Sequence, residues 1–587
     1  MNRRSFHVLA AAILLPAVTG AVIDRDRPAI APAVPGADRS DGDRVFLERA
    51  DRLYQSAGDT FTTVVGDVVF TKGPMIMRCD SAHYTPGSES FDAFGNVSME
   101  QGDTLRVDAD ELNYDGLRQL AVLYADPGSK VRMQNRNVTL ETDVFYYDLA
   151  IELGYYRTGG TLSDPNNTLT SIEGEYAPPT KEALFYRDVH LYSRNSTDTL
   201  NIYSDTLYYN TETHIAELFS PSRVVNYRGT IHTTNGVYDT DSDRTVLYER
   251  STIVTAQGQT ITADTLYYDS RAAYGEAFGS LVLTDSAHSA EVRGDYGYYD
   301  ETADSAFVTG HAMLAEYSEG DTLFMHGRYI QSFRRIDTVR VAADTIAGIA
   351  ASERLDTTHV AVVFPRVRFY RSDIQGICDS LSFTEADTLL TLFRSPVVWN
   401  EDRQVSGNII ELYLNDSTIE RAVLPEQGFT AQHIEGEHYN QLSGKKMTAY
   451  FENGEMRRLA IDGNVELIMY PEENDSTINK LVSAESSFLE AWFRGRTTER
   501  VKMWPQTTGS ATPLFLARPS LYYLPKFKWY GEVRPRNRDD IFVVPPAMEQ
   551  LMAEWPPATI EYTPRSPVWN AADTAPEHNY LPRRLSF

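Results

Sequence analysis

Ala109-Asp110-Glu111-Leu112-Asn113-Tyr114-Asp115 is the stretch whose reading decides the fold. It consists of a small residue, Asp, any residue, an apolar residue, any residue, an aromatic residue and Asp. The phrase returns as Thr142-Asp143-Val144-Phe145-Tyr146-Tyr147-Asp148 and as Ser204-Asp205-Thr206-Leu207-Tyr208-Tyr209-Asn210. It returns again as Ala263-Asp264-Thr265-Leu266-Tyr267-Tyr268-Asp269 and as Gly294-Asp295-Tyr296-Gly297-Tyr298-Tyr299-Asp300. Cys79-Asp80-Ser81-Ala82-His83-Tyr84 and Cys378-Asp379-Ser380-Leu381-Ser382-Phe383 are further versions, and Ala343-Asp344-Thr345-Ile346 is a truncated one. The anchors Asp80, Asp110, Asp143, Asp205, Asp264 and Asp295 are separated by 30, 33, 62, 59 and 31 residues. The two double steps predict decayed copies near Glu175 and Asn235. A period of about 30 residues marks a repeat architecture.

Working outward, each phrase follows an alternating run such as Thr104-Leu105-Arg106-Val107-Asp108-Ala109 or Thr260-Ile261-Thr262-Ala263. A turn comes next, then a Gly or Pro and a second apolar run, as in Gly95-Asn96-Val97-Ser98-Met99, Gly279-Ser280-Leu281-Val282-Leu283 and Gly463-Asn464-Val465-Glu466-Leu467. Alternation over short runs with turn residues between them predicts half-buried strands. No helical period is evident before about residue 485.

A change of parity refines this. Leu105, Val107 and Ala109 are the apolar odd positions, but beyond Asp110-Glu111 the apolar positions are the even Leu112 and Tyr114. Side chains of a strand alternate faces, so the buried face changes at the aspartate. A bulge or corner at Asp110-Glu111 would carry the strand from one sheet into a facing one. Ile261, Ala263, Leu266 and Tyr268 repeat the shift. Asp80, Asp110, Asp143, Asp205, Asp264, Asp295 and Asp379 are therefore expected at structural corners, accepting hydrogen bonds from nearby backbone. Rows of calcium sites are the alternative, but calcium takes six to eight oxygens and each repeat offers one or two carboxylates.

The ends and the charge set the class. Arg3-Arg4 precede an uncharged run from Val8 to Ile23 with a small-residue exit at Thr19-Gly20-Ala21. This reads as a signal peptide over residues 1–21, with a twin-arginine-like start; an uncleaved anchor is the alternative. No cysteine stands near Ala21 to carry a lipid. Residues 22–50, rich in Pro, Ala, Asp and Arg, are expected to be a flexible leader. A net charge of −28 argues against phosphate-backbone binding, so nucleic acid is not an expected partner. Cys79 and Cys378 occupy the same slot of the repeat and read as small buried residues, not as a disulfide pair.

The segment Thr60–Met133 resembles the organic-solvent-tolerance family, which includes the lipopolysaccharide-transport bridge proteins LptA and OstA. The likeness rests on Gly66-Asp67-Val68-Val69-Phe70, Met75 to Tyr84, Phe94-Gly95-Asn96-Val97 and the Leu105 to Tyr114 copy, and it recurs more weakly to about residue 490. It implies an open β-jellyroll of two facing, mostly antiparallel sheets with an apolar cleft between them. It further implies a periplasmic carrier of lipopolysaccharide or a related glycolipid, either free or associated with the inner or outer membrane. On this basis residues 51–330 are OstA/LptA-like jellyroll repeats, 331–500 further degenerate repeats, and 501–587 a Pro-rich C-terminal tail. The fold class is thus all-β, an elongated open jellyroll of repeats; ~40 strands shared by two sheets at ~4.8 Å would span on the order of 100 Å.

Acyl chains would lie against Leu105, Val107, Leu112, Tyr114, Leu207, Tyr209, Leu266 and Tyr268. Plain core packing is the competing role for each. Open terminal strands would pair with other transport jellyrolls by strand addition. No catalytic residue, metal ligand or cofactor is expected: the 12 histidines are scattered, and no His-Glu-x-x-His, Gly-x-Ser-x-Gly or phosphate loop occurs. A structural envelope scaffold that binds proteins, a membrane barrel and a carbohydrate-cleaving β-solenoid are the alternatives. In the tail, Pro505, Pro513, Pro519, Pro525, Pro535, Pro545 and Pro546 interrupt any strand repeat, while Tyr522, Tyr523, Phe527, Trp529 and Tyr530 stand among lysines. The tail is expected to bind a partner, to cap the repeats or to be disordered.

Overall fold

The computed structural model describes residues 44–553, apart from 57, 103, 196–197, 288, 318–320, 342–351, 416–417, 473–476 and 496. The expected signal peptide, most of the leader, the truncated phrase at Ala343–Ile346 and the tail beyond 553 lie outside the described residues. The described chain forms 46 strands, every strand-to-strand ladder antiparallel, three short 3-10 turns and one helix, Pro546–Ala553. It divides into two compact units. The first comprises 44–257 with Thr262–Ala272, the second Gly258–Ile261 with 273–553.

In the first unit two ladders run side by side along the sequence. One passes from Leu105–Asp108 through Val131–Asn135, Val138–Thr142, Gly160–Ser163 and Asn167–Ser171 to the strands around Leu191, Ile202 and Val224. The other passes from Glu111–Asp115 through Leu120–Tyr124, Val144–Asp148, Leu153–Tyr156 and Glu173–Ala177 to the strands around Leu207, Ala216 and Tyr238. Long strands such as Leu105–Asp115 belong to both, so each such strand turns from one sheet into the other. Its buried residues are Leu105 and Val107 before the turn and Leu112 and Tyr114 after it. The decayed copies fill their slots as strands Glu173–Ala177 and Asn235–Asp239, with Tyr176 and Tyr238 buried in the aromatic position.

The irregular backbone lies one strand away from the position read from sequence. None of the seven anchor aspartates has positive φ. At the corners the extra residue of the bulge is in Gly66-Asp67, Gly95-Asn96 or their counterparts, where both residues take positive φ. Asp80 lies over Gly95, whose Cβ would meet Asp80 Oδ2 at 2.6 Å. Glycine is favoured there on steric as well as conformational grounds, although Arg187 takes positive φ in the equivalent slot opposite Ser204-Asp205.

The last residue of the phrase builds the hairpin. Asp115 Oδ1 accepts from the N–H groups of Leu117 and Arg118, and Asn210 Oδ1 from those of Glu212 and Thr213. These are Asx turns, and each closes on a left-handed residue four places further on, Gln119 and His214.

The second unit repeats the plan. One ladder runs through Val367–Tyr370, Ile374–Cys378, Val397–Asn400, Arg403–Ser406, Gly428–Glu435 and His438–Gly444. Its counterpart runs through Ser352–Phe364, Ser380–Thr384, Leu389–Phe393 and Ile409–Leu414. Two expected boundaries shift. Phe46–Arg49, at the end of the leader, pairs with Val69–Thr71, because its alternating side chains can extend the sheet edge. Strands also continue to Pro513, inside the expected tail, where a proline is tolerated on a final edge strand. Both cysteines are free and buried.

Candidate functional site

The eight residues expected to line a cleft all belong to the first unit and all face its interior. Val107, Tyr114, Leu207 and Tyr209 are fully buried, and Leu105, Leu112, Leu266 and Tyr268 nearly so, none more than 6% exposed. Val107 lies opposite Met99 and Met133, and Leu112 opposite Ala93 and Leu123. The repeat thus lays a continuous apolar lane between the two ladders. Where an aromatic ring needs more room, a facing glycine provides it: a Cβ on Gly160 or Gly174 would strike the Tyr156 ring at 2.6 Å. Burial pushes the Tyr156 phenol up to about 12, and its hydroxyl bonds Ser171 Oγ at 2.7 Å.

The anchor aspartates sit on the outside of the turn and tie it to the adjoining strand. Asp80 accepts from Asn96 Nδ2 at 2.8 Å, and Asp110 from Asp126 N and Ser129 Oγ at 2.7 and 2.6 Å. Those two bonds hold the Asp110 carboxyl below its ordinary range. Asp143 pairs with Lys130, Asp264 with Arg250, Asp295 with His311 and Asp379 with Arg394. Asp205 takes no such ion pair among the described contacts, but its N–H reaches Ser220 Oγ at 3.2 Å. Burial is the largest influence on Asp379 and raises it despite Arg394.

A second set of corner residues was not singled out from sequence. At the small position, before Asp205 and at the matching place in the two decayed copies, stands a Ser or Thr whose buried hydroxyl spans the turn to a carbonyl two residues on. Ser204 Oγ donates to Thr206 O at 2.9 Å, Ser171 Oγ to Glu173 O at 2.7 Å and Thr233 Oγ1 to Asn235 O at 2.9 Å. Two of the repeated phrases, those beginning at Thr142 and Ser204, carry the signal only as "small", which hides the hydroxyl.

The side of the first sandwich opposite the bent corners is its mouth, where hairpins of the two ladders meet. Polar pairs bridge it at regular intervals. Lys72 Nζ donates to Gln119 Oε1 at 2.9 Å, Gln101 Nε2 to Glu152 Oε1 at 2.5 Å and Lys181 Nζ to Asn135 Oδ1 at 2.9 Å. His214 Nδ1 lies 3.5 Å from Asp164 Oδ2. Gln119, Glu152, Lys181 and His214 are the left-handed residues that close four successive turns. Interior tyrosines reach the same seam. Tyr147 OH donates to Gln101 Oε1 at 2.9 Å, Tyr209 OH to Asp164 Oδ2 at 2.5 Å, and Arg228 Nη1 to Tyr268 OH at 2.6 Å. Desolvation, with the Asp164 carboxylate beside it, drives the Tyr209 phenol far up, so it stays a neutral donor.

In the second unit the mouth holds the chain's own tail. Tyr522, Leu524, Tyr530, Val533, Met548 and Leu551 pack into the core there, against residues such as Ile468, Tyr470, Ile377 and Trp399. The tail is therefore a cap over the described span.

Among the described residues no group of three or more His, Cys, Asp or Glu side chains is placed to hold a metal ion. No described helix is long and apolar enough to cross a membrane. Residues 42–197 and 193–274 match the family model described as OstA-like protein. No curated protein matches the chain.

Proposed function

We propose that this chain, OstA-like through its first unit, is a non-enzymatic component of lipopolysaccharide transport in the periplasm. In this reading acyl chains of lipopolysaccharide or a related glycolipid shelter between the two ladders of the first unit. The family match over the first unit supports a β-scaffold of the transport type. The observation that carries the finer reading is the apolar lane through Val107, Leu112, Tyr114, Leu207, Tyr209 and Leu266, which the repeat extends without a break.

The lane is closed at rest, so a lipid must part the seam. Each hydrogen bond of the seam contributes ~0.5–1.5 kcal/mol net. Each buried methylene contributes ~0.8 kcal/mol, so about a dozen of them outweigh several such bonds. Pairs at the seam are polar and replaceable by water, whereas the corner side is covalently continuous. Entry by the mouth is thus the cheaper route. Exposed sheet ends would recruit other jellyroll proteins of the same pathway by strand addition.

The filled interior favours a second reading, a structural scaffold of the envelope that binds proteins and no lipid. Photo-crosslinking separates the two. A photoreactive phenylalanine replaces Tyr114 or Tyr268, and adducts are collected from cells and from purified protein with lipopolysaccharide. Lipopolysaccharide adducts, increased when the seam is weakened by Gln101→Ala, support the carrier. Adducts to protein alone, with no lipid recovered by mass spectrometry of the purified chain, would leave the scaffold.

A further inference from the structure

The tail crosses the mouth of the second unit in a fixed register with the strands beneath it. Three glutamines, Gln375, Gln404 and Gln441, lie on alternate strands of one ladder and are each at most 3% exposed. Gln404 reads the tail backbone with both amide atoms: Nε2 donates to Lys528 O at 2.9 Å and Oε1 accepts from Tyr530 N at 2.8 Å. Gln441 does the same one step along, with Tyr522 O at 2.7 Å and Leu524 N at 2.9 Å. Gln375 Oε1 accepts from Arg534 Nε at 2.7 Å. The buried Arg368 donates from Nη1 to Val533 O at 3.0 Å and from Nε to Asp540 O at 3.2 Å.

The tail is periodic in the same measure. Tyr522 N, Phe527 N and Val533 N bond back to Pro519 O, Leu524 O and Tyr530 O, so a turn recurs every five or six residues. Two strands of a ladder span ~10 Å, which an extended chain would cross in about three residues. The tail takes six from Leu524 to Tyr530 because each turn drops an aromatic or aliphatic side chain between the reading points. Phe527 stacks on Tyr523 at 4.7 Å and lies 5.0 Å from Tyr439.

We propose that the mouth of the second unit is a polypeptide-reading groove, that residues 519–551 are its dedicated occupant, and that it is closed to acyl chains. The chemistry of the glutamines decides between the two occupants. A backbone offers alternating acceptors and donors at the spacing of a primary amide, and an acyl chain offers neither. A lipid in this groove would take from Gln404 Nε2, Gln441 Oε1 and the Arg368 guanidinium the tail partners they bond, while Trp399 and Tyr439 satisfy only the other amide atoms, and an unmatched buried polar group is costly. Burial pulls Arg368 down to about 10, with Asp540 opposing the shift, and its guanidinium donates to the tail carbonyls of Val533 and Asp540. The inference stands apart from lipid carriage by the first unit, and neither result decides the other.

Hydrogen exchange read by mass spectrometry on the full chain tests it. Amides of 522–534 should exchange at least 100-fold more slowly than in the free peptide 519–551, and rough lipopolysaccharide micelles should leave that protection unchanged. The Gln404→Met, Gln441→Met variant should lose at least tenfold of it while Leu389–Phe393 stays protected. Free-peptide exchange in the wild-type chain would overturn the proposal, as would an unaltered tail in the folded variant. Release of the tail by the micelles would show that the groove takes lipid and would equally overturn it. If the variant unfolds, the wild-type chain with and without micelles carries the test alone.

Discussion

Gly95 offers a quantitative test of how the corners are built. Two costs coincide there: φ is +74°, and a Cβ would lie 2.6 Å from Asp80 Oδ2. Gly102 has the first cost alone, with φ of +62° and nothing within 4 Å, and Gly87 has neither. An L-residue in the left-handed region costs ~1–2 kcal/mol. Alanine recovers ~0.4–1 kcal/mol by narrowing the unfolded ensemble. Gly102→Ala should therefore destabilise by ~1 kcal/mol, and Gly87→Ala should be neutral or slightly stabilising. At Gly95 the carboxylate must also swing away and release Asn96 Nδ2, a bond of 2.8 Å worth ~0.5–1.5 kcal/mol. The total for Gly95→Ala is ~1.5–2.5 kcal/mol, or roughly 12- to 70-fold in local opening. Because the chain has two units, a single unfolding curve is a poor gauge. Native-state hydrogen exchange over Met75–Thr85 and Ser90–Gln101 reads the local free energy directly. Adding Asp80→Ala should remove the excess over Gly102→Ala. Equal effects at Gly95 and Gly102, or no relief from Asp80→Ala, would refute a corner in which the aspartate packs over the glycine.

Ser204→Ala removes the hydroxyl that spans a corner to Thr206 O and should cost ~1 kcal/mol, seen as faster exchange in strand Asp198–Asn210; an unchanged rate would assign the corner to the backbone alone. Burial pushes the Cys79 thiol up to about 12 and the Cys378 thiol well above its ordinary value, so neither should be alkylated at pH 8 until the chain is unfolded; rapid labelling of the native protein would contradict the packing. His326 is held below its ordinary pKa, first by burial and also by His311 and Arg368, against the hydrogen bond to Ala312 O. The sign follows: its neutral form belongs to the folded state, so its contribution is complete above ~6.5 and is lost as pH falls through the lower folded value. Its ring lies 4.7 Å from Phe542, so protection of the amides around Phe542, relative to the intrinsic exchange rate at each pH, should fall between pH 7.5 and 5 and should not do so in His326→Gln.

Much of the fold was legible because the repeat writes one instruction many times. Parity alone located the change of sheet, and Leu112, Tyr114, Leu207 and Tyr209 all face inward as the alternation requires. The bulge itself was misplaced by one strand. Parity records where a side chain switches faces, but the extra residue that causes the switch is in the partner strand, at Gly95-Asn96, and pairing register cannot be read from one strand's pattern. The seam was invisible for a related reason. Gln119, Glu152, Lys181 and His214 share a position in the turn but no chemistry, so no motif connects them. Only the left-handed backbone they have in common brings them to the same edge.

Capping, one of the roles expected of the tail, is the one that its prolines and the buried glutamines specify together. Its prolines were read as breaking the strand repeat, and they do. Yet Pro513, Pro519 and Pro525 stand six residues apart, the same advance that separates Leu524 from Tyr530 over Gln441 and Gln404. A segment with no period has no reason to match the spacing of strands it crosses. One that repeats at a constant interval can bury a side chain and present a carbonyl and an N–H to each successive pair of strands. Pro525 opens the turn that closes at Phe527, because its fixed φ suits the second position of such a turn. Buried glutamines at 404 and 441 are the complementary signal in the repeats: neighbours in the repeats satisfy only part of each primary amide, at Trp399 Nε1 and Tyr439 O, and a backbone laid across it supplies the rest. Each half of the match is ambiguous alone, since prolines suit any loop and glutamine is common on strands. Together they specify a tail folded back over its own repeats.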